Sequence, residues 1–97
     1  MPVFLDTGAI YSLADRNDAD HGEIRTIYLN PAHRFVTHEL VLIETFSLVT
    51  KRLHKHAALE IVGSLRKSPR VQILPIFSGL LEAAWERCKV SGSQSAY

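Results

Sequence analysis

The chain has 97 residues and a formal net charge of +1, with 46% hydrophobic and 22% charged residues. That length allows one domain, able to bury roughly two thirds of its unfolded surface, and excludes a second; the composition excludes disordered and collagenous classes. A charge this close to neutral recruits no polyanion by long-range attraction, so any contact with nucleic acid must come from a local patch of Lys and Arg.

Cys88 is the single cysteine, so no internal disulfide can form. With no basic, apolar, small-residue leader ahead of Val3, a reducing cytoplasm is the expected compartment. No apolar stretch approaches the roughly 18 residues that suggest a membrane span, and no membrane partner is expected.

In chain order, Val3-Phe4-Leu5 is a short apolar run that reads as a buried strand, with Asp6 at its end and Gly8 just beyond. Ala9, Ile10, Leu13 and Ala14 recur at helical spacing. Arg16-Asn17-Asp18 then supplies a break, followed by a capping aspartate and a second helix through Ile24, Ile27, Tyr28 and Leu29, which Asn30-Pro31 stops. Phe35-Val36-Thr37 is a second strand. From Glu39 to Lys55 there is no Gly or Pro, which predicts one long helix, bending near Lys55-His56 into another that carries Ala57, Ala58, Ile61, Val62 and Leu65 and ends at Ser68-Pro69. Val71-Gln72-Ile73-Leu74-Pro75 reads as a third strand. Ser78 caps an expected helix with Leu80, Leu81, Ala84 and Trp85, and from Ser91 the tail SGSQSAY has no periodicity, giving a domain over 1–90 and an irregular segment over 91–97. Strands alternating with helices imply crossover units, a parallel sheet and an α/β domain.

Asp6 is the first candidate for chemistry, because ligands of parallel sheets gather beyond the carboxyl ends of the strands. Its other reading is a helix-capping or salt-bridged aspartate. Glu44 is the second. Its neighbours three and four residues away are Leu40, Val41, Ser47 and Leu48, an apolar stripe on which a carboxylate would be protonated, ion-paired or metal-bound. The alternative is a glutamate at the rim of the stripe, reaching solvent or paired with Lys51 or Lys55. Oxygen-only ligands suit a hard cation, Mg²⁺ or Mn²⁺, which needs only one or two carboxylates. Zinc fits poorly: His38-Glu39 has Leu42 where a zincin has its second histidine, and His54 and His56 point to different helix faces. Cys88 has nothing near it to mark it as a nucleophile. Arg52, Lys55, Arg66, Lys67 and Arg70 make the densest basic region, either a contact for RNA phosphates or a solvated face.

The letters FLDTGA admit an aspartic-protease reading, in which two chains would each lend one Asp-Thr-Gly half-site. That fold is nearly all β, whereas Glu39 to Lys67 holds one glycine, Gly63, and reads as helix.

From Pro2 to about Arg87 the chain resembles the PIN-domain family, and within it the small ribonuclease toxins of bacterial toxin-antitoxin pairs (virulence-associated protein C type). VFLDTGAIYSLAD resembles the family's first motif, THELVLIETFSLV its second, and VQILPIFSGLLEAAWER its third strand and following helix. The resemblance implies an α/β three-layer sandwich with a short parallel sheet, Asp6 and Glu44 as catalytic metal carboxylates, Thr7 as a substrate-binding residue, and a cytoplasmic Mg²⁺- or Mn²⁺-dependent endoribonuclease acting on RNA and paired with an antitoxin. The sequence departs from the family at its end, where a Thr-Asp motif with a third carboxylate and two further strands are replaced by SGSQSAY. After Glu44 the acids are Glu60, Glu82 and Glu86, none in a matching context. The expectation is therefore an incomplete domain lacking the last strands, with little or no nuclease activity, and a non-catalytic module binding antitoxin or RNA as the alternative. An uncharged apolar edge at Val3-Phe4-Leu5 adds the expectation of a homo-oligomer.

Overall fold

The computed structural model describes residues 2–75 together with Glu86 and Arg87. Seven elements follow one another: β1 (Val3–Phe4), α1 (Thr7–Ala14), α2 (His21–Leu29), β2 (Phe35–His38), α3 (Glu39–Arg52), α4 (Lys55–Lys67) and β3 (Val71–Leu74). The helix expected from Ser78 with its Leu80, Leu81, Ala84 and Trp85 stripe, Cys88 and the tail over 91–97 lie outside the described residues. Among the described residues no helix is long and apolar enough to cross a membrane.

The three strands form one parallel sheet in the order β1-β2-β3. Val3 pairs with Phe35, and Phe35 with Val71, so the rows are level across the sheet. Side chains alternate between the two faces of a strand. Val3, Leu5, Phe35, Thr37, Val71 and Ile73 therefore share one face, and Phe4, Val36, His38, Gln72 and Leu74 the other. Crossovers that advance steadily in one direction, each in the usual right-handed sense, carry every connecting helix to the same face. The core is what this requires: Leu5, Phe35 and Val71 of the sheet pack with Ile10 of α1, Ile27 and Tyr28 of α2, Val41 and Leu42 of α3, and Ile61, Val62 and Leu65 of α4. Each buried aliphatic or aromatic side chain there contributes about 1.5–3 kcal/mol relative to exposure. On the opposite face Phe4 and Leu74 are exposed. The described residues thus give an α/β fold with a short parallel sheet and one helical layer upon it, with an architecture opposed to the nearly all-β protease.

Two boundaries are set by local hydrogen bonds, and the second differs from the sequence expectation. Asp18 does not cap α2. The chain turns twice first, with the Asp18 N–H donating to Asp15 O and the His21 N–H to Asp18 O, so the helix starts at His21 behind Asp20. The Asp18 carboxylate instead accepts from the Asp20 N–H at 2.9 Å and the Ser12 hydroxyl at 3.0 Å, pinning the turn to α1. The long helix stops at Arg52, not Lys55. Leu53 leaves helical geometry, and His54, in extended backbone, opens α4 by accepting the Ala57 N–H on Nδ1 at 3.1 Å. A histidine cap makes this break where no Gly or Pro marks it.

Arg70 fastens the end of the sheet away from Asp6. Its Nη2 donates to the carbonyls of Tyr28 (2.9 Å), Asn30 (2.6 Å) and His33 (3.2 Å), and its Nε to His33 (3.2 Å). The guanidinium also lies 5.2 Å from the centre of the Phe35 ring. These carbonyls lie around the end of α2, where the last turn of a helix leaves acceptors without intrahelical partners; that of Asn30 also accepts the His33 N–H at 3.1 Å.

Thr37 and Thr45 are both fully buried, with opposite hydrogen-bonding states. Thr37 Oγ1 donates to Leu5 O at 2.8 Å, extending the β1–β2 pairing, whereas Thr45 Oγ1 has no partner among the described residues. Thr37→Val is expected to cost about 1–3 kcal/mol by stranding the Leu5 carbonyl, and Thr45→Val to be neutral or stabilising by about 1 kcal/mol. Urea midpoints with an unchanged slope measure both; a destabilising Thr45→Val would contradict the packing described.

Candidate functional site: a carboxylate groove at the strand ends

Asp6 follows β1 where the parallel sheet ends, and caps α1: its Oδ1 accepts the Ala9 N–H at 2.8 Å. The capping and ligand readings of Asp6 are therefore compatible, because the bond uses Oδ1 and leaves Oδ2 without a hydrogen bond among the described residues. The side chain is exposed. A Cβ added at Gly8 would meet Asp6 Oδ1 at 3.6 Å, ordinary contact, so the glycine is not sterically required.

Glu44 is exposed, not buried on an apolar stripe. The buried face of α3 is made by Val41, Leu42, Thr45 and Val49. Glu44 lies beside that line, at its rim, while Leu40 and Ser47 are exposed with it. No ion pair to Lys51 or Lys55 forms, so the rim position reaches solvent.

Asp6 lines a groove of about 650 Å³ with Tyr11, Asp18, Asp20, Glu23, Leu48 and Arg52 among its walls. Glu44 is not one of the lining residues. It stands four residues before Leu48 and eight before Arg52, however, and residues at that spacing share one helix face. The face of α3 that carries Glu44 thus continues into the groove that holds Asp6. Among the described residues no three His, Cys, Asp or Glu side chains come together as a metal cluster. Among the described residues Asp6 Oδ2 and the Glu44 carboxylate carry no hydrogen bond or ion pair, and oxygens of this kind suit a hard cation that keeps most of its water. Thr7, the first residue of α1, stands beside Asp6 in sequence and is half-buried.

The remaining polar candidates divide clearly. His38 Nδ1 accepts the Val41 N–H at 3.3 Å to cap α3, and its ring lies 5.7 Å from that of Phe4. His54 and His56 are surface residues; their rings stack at 6.2 Å, and His56 Nε2 stands 3.2 Å from Glu60. The basic region of the sequence is not one patch, since Arg52 lines the groove at Asp6 while Arg70 is engaged by carbonyls at the far end of the sheet.

Sequence reasoning missed the acids of the Asp18–Glu23 turn, Tyr11 and the position of Arg52. The spacing Glu44–Leu48–Arg52 was the available signal for the last. Tyr11 donates its hydroxyl to Asp15 Oδ2 at 2.7 Å, and the Arg52 guanidinium carbon lies 5.3 Å from the centre of its ring. The Tyr11 hydrogen bond, helped by the Asn17 N–H, holds the Asp15 carboxyl below its ordinary value of 3.8. The same bond, then burial and the nearby charge, pushes the Tyr11 hydroxyl above 10.0.

A family model described as PIN domain matches residues 3–93, and the chain belongs to the PIN-domain family. Over 84 residues it is 30% identical to the 23S rRNA-specific endonuclease VapC20 of Mycobacterium tuberculosis, in strain CDC 1551 / Oshkosh and equally in strain ATCC 25618 / H37Rv. The alignment covers 87% of this chain, and the chain spans 63% of the length of those curated relatives. Among solved structures it is similar to the crystal structure of Mycobacterium tuberculosis VapC20, a sarcin-ricin loop cleaving toxin, with a TM-score of 0.69 and 25% identity across 98% of this chain and 72% of that one.

Tyr11→Phe is expected to let the Asp15 carboxyl titrate upward, toward its ordinary value, in an NMR pH titration. A group held below its unfolded value stabilises the fold above that value and loses the contribution as pH falls through the lower folded one. The stability gap between wild type and Tyr11→Phe should therefore narrow in acid, below about pH 4; a gap that widens there would contradict the assignment.

Proposed function

We propose that this chain is a divalent-metal-dependent endoribonuclease of the toxin type, acting on RNA in the cytoplasm and controlled by an antitoxin protein. The observation that carries this reading is the coincidence of family and site: a PIN-domain chain presents Asp6, with a free oxygen, in a groove that the Glu44–Leu48–Arg52 face of α3 enters. Asp6 and Glu44 would hold Mg²⁺ or Mn²⁺, which when bound polarises a phosphodiester and lowers the pKa of a water that attacks it. Asp6 is prepositioned for this by its cap bond, and Thr7 follows it as the substrate-binding residue. Four carboxylates and one guanidinium line the groove, so a bare polyanion meets net repulsion there until cations offset it.

With two carboxylates the metal is weakly held and poorly oriented, so we expect slow turnover that needs high metal concentration. The absence of a three-ligand cluster among the described residues favours one further reading, a non-catalytic module that keeps RNA or antitoxin binding. Paramagnetic Mn²⁺ tests the site independently of turnover. It should broaden the amide signals of residues 6–9 and of Glu44, and Asp6→Asn should abolish the effect; broadening centred elsewhere would remove both residues from the site. Cleavage of single-stranded RNA that requires Mg²⁺ and is lost in Asp6→Asn separates the enzyme from the module.

Self-association belongs to the same proposal. Among the described residues β1 is paired on one side only, with Phe4 exposed beside it and no Lys at the edge. Light scattering on the purified chain is expected to report a dimer or larger species, and a monomer at every concentration would contradict it.

A further inference from the structure

We propose that Arg52 is a positioning residue for the RNA strand, taking a phosphate that flanks the one at the carboxylates. The inference rests on the ribonuclease reading and adds to it a residue that neither the sequence motifs nor the relatives assign. Among the described residues Arg52 is the one cationic side chain lining the groove that contains Asp6, against Asp6, Asp18, Asp20 and Glu23. It is exposed and, among the described residues, makes no ion pair. Five N–H donors in a planar fork match the oxygens of a phosphate; the guanidinium also reaches the Tyr11 hydroxyl, which leaves the rest of the fork available.

The side chain is also oriented. Its guanidinium lies over the Tyr11 ring at 5.3 Å, and Tyr11 is in turn tied to Asp15 at 2.7 Å, so α1 holds the cation of α3 in place across the groove. A cation ordered before binding loses less conformational freedom when it meets its anion. Glu44 and Arg52 share one face of α3 eight residues apart, a rise of about 12 Å. That separation exceeds the reach of one phosphate group, so a strand whose scissile phosphate lies at Asp6 and Glu44 meets Arg52 through another phosphate. In a groove with four carboxylates, this contact offsets local repulsion and sets the direction in which the strand lies.

The test uses the full chain and a fluorescently labelled single-stranded RNA, with anisotropy read in EDTA, where no cleavage occurs, over a range of salt. Arg52→Gln is expected to weaken binding about tenfold and to reduce the slope of log affinity against log salt by about 0.7, the loss of one single-strand phosphate contact. Arg52→Lys should keep the slope and recover part of the affinity, because the charge remains while the fork is lost. With Mg²⁺, the KM of Arg52→Gln should rise with kcat within about twofold, the pattern of lost uniform binding. An RNA carrying one uncharged methylphosphonate linkage away from the cleaved bond should bind wild type about as weakly as unmodified RNA binds Arg52→Gln, and should cost Arg52→Gln nothing more. Wild-type affinity and salt slope in Arg52→Gln, with RNA still bound by wild type, would overturn the role of Arg52 and leave the ribonuclease reading standing. A wild-type chain that neither binds nor cleaves RNA would overturn both.

Discussion

Parallel pairing of β1 with β2 and of β2 with β3, in that order, is the constraint on which the rest of the molecule depends. It forces two crossovers in one direction and gathers α1 to α4 on the face shared by Leu5, Phe35 and Val71. It also sends every strand's carboxyl end the same way, which is why Asp6 and the start of α3 lie at one end of the sheet and Arg70 at the other. Thr37 reinforces the pairing where the ladder ends, its hydroxyl bonding the Leu5 carbonyl one residue before Asp6. Asp6 therefore follows directly on paired and hydrogen-bonded backbone, the kind of support a pre-organised ligand requires.

Helix termini divide their work between stability and chemistry. His38 and His54 spend a ring nitrogen on capping and thereby leave the pool of metal ligands. Asp6 caps with one oxygen and keeps the other. The same bond that stabilises α1 aims the carboxylate, so the cost of fixing its position is met by folding and not by ligand binding.

The arginines show how tertiary structure assigns roles within one residue type. Arg70 commits Nε and Nη2 of its guanidinium to carbonyls and lies against Phe35, so it stabilises the fold. Arg52 meets the ring and hydroxyl of Tyr11 and, among the described residues, no carboxylate, and it faces a groove rich in acids. Nothing in their immediate sequence distinguishes them; what does is the strand end at which each falls.

The sequence by itself determined the element order, the α/β class and the strand-end position of Asp6, because apolar runs of three or four residues between helical periodicities carry those signals locally. It also contained the motifs that resemble the PIN family, which the match over residues 3–93 supports. It misplaced what depends on competition between neighbours. The cap at His54 was decided by extended backbone that leaves no Gly or Pro. Glu44 came out exposed because the buried line of α3 runs through Val41, Thr45 and Val49, and spacing alone could not choose between two adjacent stripes. Only the tertiary structure joined Tyr11 of one helix to Arg52 of another and set both beside Asp6, since contacts between residues more than 40 positions apart arise from packing and have no signature in local pattern.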